Sequence, residues 1–302
     1  MKAFHSTSSL AVGALVINAL VWGVSWWPFR DMQSHGLHPL WSTALIYVLA
    51  TVGVLAWKPN AWRVLVQYRG LWLLMVAAGL TNVGFNWAVT VGDVVRVVLL
   101  FYLMPAWSVL IAWAMLGEKP TAASLLRLLL ALVGVLIVLK SPTSSWPVPD
   151  SIADWLALAG GLFFALTNVL LRKHGSTPSE SRMLAMFGGG ALMATAAALL
   201  GMSAGIVSAP AFALAGVPVA IGLCLAFMVS NWALQYGAAR LAASTTALVM
   251  LTEILFASVS SAWLGAAELD TRTWVGGGLI VLAALLAALA PAPAAPDLSR
   301  LS

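Results

Sequence analysis

The sequence predicts an all-α membrane protein in which ten transmembrane helices form two inverted five-helix repeats around a central cavity. Three observations carry that expectation. Of the 302 residues, 62% are hydrophobic and only 8% charged, with a mean hydropathy of +0.97. Ten apolar stretches are near the length of about 20 residues that a helix needs to cross a bilayer. Asn86-Trp87-Ala88 recurs as Asn231-Trp232-Ala233, and each copy has a glycine six residues after its asparagine, Gly92 and Gly237. The copies lie five apolar runs apart. Five is odd, so the two units enter the bilayer in opposite directions.

Composition narrows the class first. A soluble domain cannot cover its surface with so few charges, whereas lipid covers most of a polytopic membrane protein. The net charge of +5 and pI near 9.7 do not imply a nucleic-acid partner, because the basic residues are scattered through short loops and form no patch. A single cysteine, Cys224, excludes an internal disulfide framework and a cysteine-based metal cluster.

The first span, about 10–29, follows Lys2 and is rich in tryptophan. It lacks a small-x-small cleavage site, so it reads as a retained helix rather than a signal peptide. The spans at 39–57 and 71–91 end in Lys58-Pro59-Asn60 and Gly92-Asp93. The next two, 95–116 and 121–140, end in Gly117-Glu118-Lys119-Pro120 and a Ser/Pro-rich stretch at 141–151. The second set runs 152–172, 182–203, 214–236, 242–264 and 273–290, with turn signals at Arg172 to Gly175 and Gly237 to Arg240. The domains are then a first repeat over 1–140, a linking loop over 141–151, a second repeat over 152–290 and a Pro/Ala-rich disordered tail over 291–302.

Lys and Arg set the direction. With a cytoplasmic N-terminus, eleven fall in inner segments and four, Arg30, Arg96, Lys140 and Arg272, in outer ones, accounting for the chain's 15. Basic residues resist translocation, so both termini are placed in the cytoplasm. Helix one then runs outward and helix six inward, as the Asn-Trp-Ala echo requires.

Further correspondences support a duplication. Trp22-Gly23-Val24-Ser25 matches Phe164-Ala165-Leu166-Thr167 in size and polarity, and Leu116-Gly117 matches Leu264-Gly265, with Glu118 and Glu268 following. Two five-helix halves, a Trp-Gly-x-Ser element in helix one, and Leu-Gly-Glu ending helix four after the mid-helix Pro105 together resemble the drug/metabolite transporter superfamily, with EamA-type repeats over about residues 10–290. Within it, the stretch from Gly92 to Pro105 resembles the YddG-type aromatic amino acid exporters of bacterial inner membranes. That resemblance implies export of aromatic or other bulky neutral amino acids across the inner membrane. The second half departs from the pattern, with Thr252-Glu253 where a proline is common and Gly-Ala-Ala-Glu instead of Gly-Glu. Helix nine is therefore expected not to bend as helix four does.

Candidate binding residues follow from polarity inside apolar spans. Asn82 and Asn86 are four apart and share one face of helix three, extended by Thr90; Asn231 and Gln235 form the equivalent pair on helix eight. Bare amides facing lipid would lose water hydrogen bonds without replacement, so these face other helices or an aqueous cavity. Interhelical packing is the bland alternative; occurrence in both inverted halves favours a binding site at the repeat interface. Asn18, Trp22 and Ser25 make a stripe on helix one, and Phe164 with Asn168 makes its counterpart on helix six. Tyr102 lies one turn from Pro105, and Trp87, Trp107 and Trp232 are the other deep aromatics.

Glu253 sits about eleven residues from either end of helix nine, where a charge costs at least about 3 kcal/mol by insertion scales. Thr245, Thr246, Thr252, Ser258, Ser260 and Ser261 are candidate partners for it. Its functional readings are a partner for a substrate amino group or a proton-coupling site. Asp93 and Arg96, three apart, could form an i,i+3 pair or an outer gate, and Pro105 permits a kink or hinge.

No cofactor or metal is implied. The four histidines lie in terminal or loop segments, and no nucleophile–base pair or metal-ligand spacing occurs within the spans. An intramembrane enzyme is thus disfavoured against a transporter. The expected partners are a small molecule, such as Phe, Trp or Tyr, and the lipid bilayer, with the protein able to act as a monomer. Export of another small metabolite or drug is the alternative.

Overall fold

The computed structural model describes residues 2–92, 94–139, 149–211, 216–265 and 271–290. Every regular element among them is helical. In chain order these are α1 (Lys2–Val24), α2 (Trp26–Ser34), α3 (Pro39–Trp57), α4 (Ala61–Gln67), α5 (Arg69–Val91), α6 (Val94–Phe101), α7 (Met104–Leu116), α8 (Ala122–Leu139), α9 (Ile152–Lys173), α10 (Ser179–Ser203), α11 (Val217–Ala238), α12 (Ala243–Met250), α13 (Glu253–Trp263) and α14 (Thr271–Ala288).

Among the described residues nine helical segments are long and apolar enough to cross a membrane, and a tenth apolar segment, Ala122–Val138, is shorter. Three spans are interrupted: Ser9–Ser34 combines α1 and α2, Val97–Leu116 combines α6 and α7, and Ala243–Trp263 combines α12 and α13. The first span runs past Arg30-Asp31 to Ser34, and the expected 58–70 loop contains α4. The 141–148 part of the expected linking loop, the 291–302 tail and Glu268 lie outside the described residues.

Local chemistry explains several ends. Ser151 Oγ accepts from Asp154 N at 3.2 Å, and Asp154 Oδ2 accepts from Ser151 N at 3.1 Å, a reciprocal cap that starts α9. Gly117, with φ +70°, turns the chain left-handed after α7, and Glu118 N donates back to Ala112 O at 3.3 Å. Gly265, with φ +69°, repeats that conformation after α13. The turn delivers Glu118 to the end of α9, where its carboxylate accepts from Arg172 Nε. Arg172 Nη1 also donates to Leu241 O, and Ala243 N donates to Glu118 Oε2 at 3.4 Å. One carboxylate and one guanidinium thus tie the ends of α7 and α9 to the start of α12.

The helices cross the halves. α5 packs on α9 and α10, α3 on α10, α1 on α11 and α13, and α8 on α14. Small residues allow these approaches. A Cβ at Gly189 would lie 2.0 Å from Met75 O, and one at Gly190 1.9 Å from the Tyr47 ring. Gly134 and Gly276 meet backbone to backbone between α8 and α14. The outer surface is apolar, with Leu126, Leu129, Leu225, Val229 and Leu285 exposed. Trp27, Trp57, Trp72, Trp155, Trp263 and Trp274 are exposed near span ends, as interfacial anchors are.

Helix nine corrects the expectation drawn from its missing proline, because it breaks between α12 and α13. Leu251 N and Thr252 N donate three residues back, to Leu248 O and Val249 O, as does Leu255 N to Thr252 O. The Thr252 hydroxyl donates to Val249 O at 2.7 Å, and such local bonding competes with the helical ladder. Ser25 makes the same bond to Trp22 O at 2.7 Å where α1 gives way to α2.

Candidate functional site

A cavity opens among the helices. Its empty volume is about 860 Å³, counted out to the open solvent at its mouth. Residues of α1, α3, α5, α6, α9, α10, α11, α12 and α13 line it, and none of the described residues of α8 or α14 does.

Two aromatic clusters wall the cavity. Trp22 stacks on Phe227 with ring centroids 4.5 Å apart, and Tyr47 meets Phe187 and Phe227 edge-on. On the other side Phe101 contacts Phe85 at 4.9 Å and Phe164 at 5.9 Å. These rings offer apolar faces and edges to a planar or bulky group.

Polar groups interrupt that wall at few points. Asn82 is fully engaged: its Oδ1 accepts from Tyr47 Oη at 2.9 Å and its Nδ2 donates to Ala78 O at 2.8 Å. Asn86 Nδ2 donates to Thr43 Oγ1 at 2.8 Å. Asn18 Nδ2 donates to Ser230 O at 2.9 Å and to its hydroxyl at 2.6 Å. A backbone carbonyl can only accept, so the Asn18 amide is oriented by chemistry. Its Oδ1 is left buried without a partner, as is the hydroxyl of Thr167, and both residues line the cavity.

Glu253 opens α13 at the break in helix nine, and Tyr102 stands in the break of helix four. Both side chains line the cavity. Three of the hydroxyls expected to serve Glu253 do other work: Ser258 donates to Ile254 O, Ser260 to Ala257 O and Thr252 to Val249 O, while the Thr246 hydroxyl is buried without a partner among the described residues.

Of the candidate binding residues, Asn18, Trp22, Asn82, Asn86, Tyr102, Phe164, Asn231 and Glu253 come together around the cavity. Ser25, Asn168 and Gln235 do not. Ser25 turns back on Trp22 O at the end of α1. Asn168 is buried behind the wall, because α9 presents Phe164 and Thr167, an i,i+3 pair, to the cavity. Gln235 is buried and bonded to Arg182 Nε at 2.8 Å and to Asn231 at 2.7 Å. Trp87, Trp107 and Trp232 also lie off the cavity, and Trp232 is exposed on the outer surface.

Pro105 is buried at the start of α7. Asp93 lies outside the described residues, as do the side chains of Arg96 and Thr90. Lining residues missed in the sequence include Tyr47, Phe85, Phe101, Phe187 and Phe227. Aromatic residues within an apolar span carry no signal of direction; only their spacing relative to the asparagines, as with Phe85 beside Asn82, points inward.

Residues 9–140 match the EamA-like transporter family. A solved structure, described only as the crystal structure of a protein, is 18% identical and superposes with a TM-score of 0.75 over 92% of this chain and 96% of its own. It is among 27 solved chains that match, and at that identity it speaks for the fold alone. No curated protein matches the chain. The chain is thus a multi-pass helical membrane protein whose residues 9–140 are similar to the EamA-like transporter family.

Proposed function

We propose that this protein is a secondary transporter that exports aromatic or other bulky neutral amino acids across the bacterial inner membrane by alternating access. The observation that carries the reading is the lining of the cavity. Aromatic rings surround a few amides, one carboxyl group and an unpartnered amide oxygen on Asn18, and no Lys, Arg or His is among the lining residues described. Rings suit a bulky side chain. Glu253 and Asn18 Oδ1 suit an ammonium group, and the Asn231 amide suits a carboxylate. A phosphorylated substrate would call for a cation that this lining lacks.

The architecture we propose is two inverted repeats, residues 1–140 and 152–290, joined by 141–151, with both termini cytoplasmic and the protein acting as a monomer. The packing supports it. Numbered as spans, three pairs against six as eight pairs against one, three against seven as eight against two, and four against six as nine against one. Each pair maps onto the other by exchanging the halves. The site then lies at the repeat interface, where rocking of one half against the other exposes it to alternate sides.

Counterflow in proteoliposomes tests the reading. Vesicles preloaded with L-phenylalanine are expected to accumulate labelled L-phenylalanine and L-tryptophan with saturation, with or without a pH gradient. Absence of exchange with any aromatic or bulky neutral amino acid would rule out the proposed substrate class.

A further inference from the structure

Among the described residues Arg182 makes no salt bridge. It is 5% exposed in α10, and its hydrogen bonds run to neutral oxygens: His174 O at 2.8 Å, Thr177 O at 2.9 Å and Gln235 Oε1 at 2.8 Å. The arginine does not line the cavity. Burying a cation this way is costly unless it is fully hydrogen-bonded.

Its consequence is directional. A guanidinium donates and never accepts, so Gln235 must turn its oxygen toward Arg182. The Gln235 amide nitrogen then faces Asn231 and donates to its Oδ1 at 2.7 Å. That bond consumes the Asn231 oxygen and turns Asn231 Nδ2 toward Met186 Sδ, 3.4 Å away, among the cavity residues. Amide orientations are ordinarily a matter of assignment; here the donor-only end of the chain dictates each in turn. One residue before Asn231, Ser230 fixes Asn18 the opposite way, leaving its oxygen unpartnered.

We infer that Arg182 is a positioning residue which, through Gln235, holds Asn231 as a hydrogen-bond donor in the cavity and so makes this wall selective for the carboxylate end of the substrate. The inference rests on the amino acid reading above and assigns its polarity. Asn231 binds the carboxylate, while Asn18 Oδ1 and Glu253 face the ammonium group. Neither Arg182 nor Gln235 touches the substrate.

Gln235→Glu makes the sharpest test, because it is isosteric and keeps a partner for Arg182. The new carboxylate can only accept, so Asn231 must reverse and offer its oxygen to the cavity. Competition against labelled L-phenylalanine is measured for L-phenylalanine, phenethylamine, which lacks the carboxylate, and 3-phenylpropionate, which lacks the amine. The unmodified protein is expected to favour phenylalanine over phenethylamine by about tenfold, the scale of one charge-assisted hydrogen bond. Gln235→Glu is expected to abolish that preference and keep the one over 3-phenylpropionate. Arg182→Met is expected to weaken the same preference, and Arg182→Lys, still a pure donor, to retain it.

An unchanged phenylalanine-to-phenethylamine ratio in Gln235→Glu overturns the relay while leaving the amino acid reading intact. Failure of the unmodified protein to bind any of the three overturns both. If Gln235→Glu is not monodisperse on size exclusion, Asn231→Asp puts oxygens in place of the donor, and a ratio unchanged there overturns the assignment equally.

Discussion

The spans Val97–Leu116 and Ala243–Trp263, helices four and nine of the proposed repeats, both break, but by different chemistry. In helix four Pro105 lacks the N–H that would meet Phe101 O, and α7 starts from Leu103, whose carbonyl accepts from Ala106 and Trp107. In helix nine no proline is present, and the Thr252 hydroxyl bonds Val249 O across a tightened turn. Each break is cradled by a glycine on the helix that crosses it. A Cβ at Gly161 of α9 would lie 2.5 Å from Phe101 O, and one at Gly23 of α1 would lie 2.7 Å from Glu253 O. The lesson is that the break belongs to the packing as much as to the local sequence. A proline encodes it visibly, while a threonine beside a close-packed glycine encodes it in a form that a motif search does not see.

The comparison yields tests of decreasing size. Replacing either cradling glycine by leucine is expected to be the most damaging. Even one added methyl group overpacks such a contact at a typical cost of about 1–3 kcal/mol, and leucine adds three more carbons. Gly23→Leu and Gly161→Leu should both lose the monodisperse peak on size exclusion; tolerance of one alone would show that only the other break needs its cradle.

Next come the side chains that the breaks deliver. Glu253→Gln is expected to weaken phenylalanine binding about tenfold, and Tyr102→Phe, which removes a neutral donor, by about threefold. Equilibrium binding over a pH series checks both, and unchanged affinity and pH dependence in Glu253→Gln would remove that acid from the mechanism.

The breaks themselves follow. Pro105→Ala restores a backbone donor and is expected to slow exchange several-fold with little change in affinity. Thr252→Val removes only a hydroxyl bond, worth about 1 kcal/mol, and should slow exchange about twofold. Equal effects would mean that proline has no special part. The smallest effect is expected for Glu118→Gln: its partly exposed pair with Arg172 should contribute no more than about 1 kcal/mol, read as a melting shift of a few degrees.

These residues also mark how far the chain could be read without its structure. The helices were legible because their apolar runs are long, and Leu116-Gly117 and Leu264-Gly265 were legible because both glycines take positive φ. Asn18, Asn82, Asn86 and Asn231 stood out because amides are expensive in lipid. The aromatic lining did not stand out, since Phe187 and Phe227 look the same whether they face lipid, core or cavity. Asn168 and Gln235 show the limit from the other side: Gln235 is held by a buried arginine instead of a cavity, and both amide atoms of Asn168 are buried without a partner among the described residues. Arg182 enters the sequence reading only as one of the eleven inner basic residues, because nothing in the sequence places it against Gln235 from α11.

The single acid among the described lining residues also has an electrical meaning. Whatever fraction of Glu253 crosses in ionised form carries charge through the field, and a full unit crossing is worth about 2.3 kcal/mol per 100 mV of membrane voltage. A neutral zwitterion adds nothing to that charge. The voltage would then act on the empty and loaded carriers alike, and the cell's own potential, rather than the gradient of its cargo alone, would set which side the unoccupied site prefers to face.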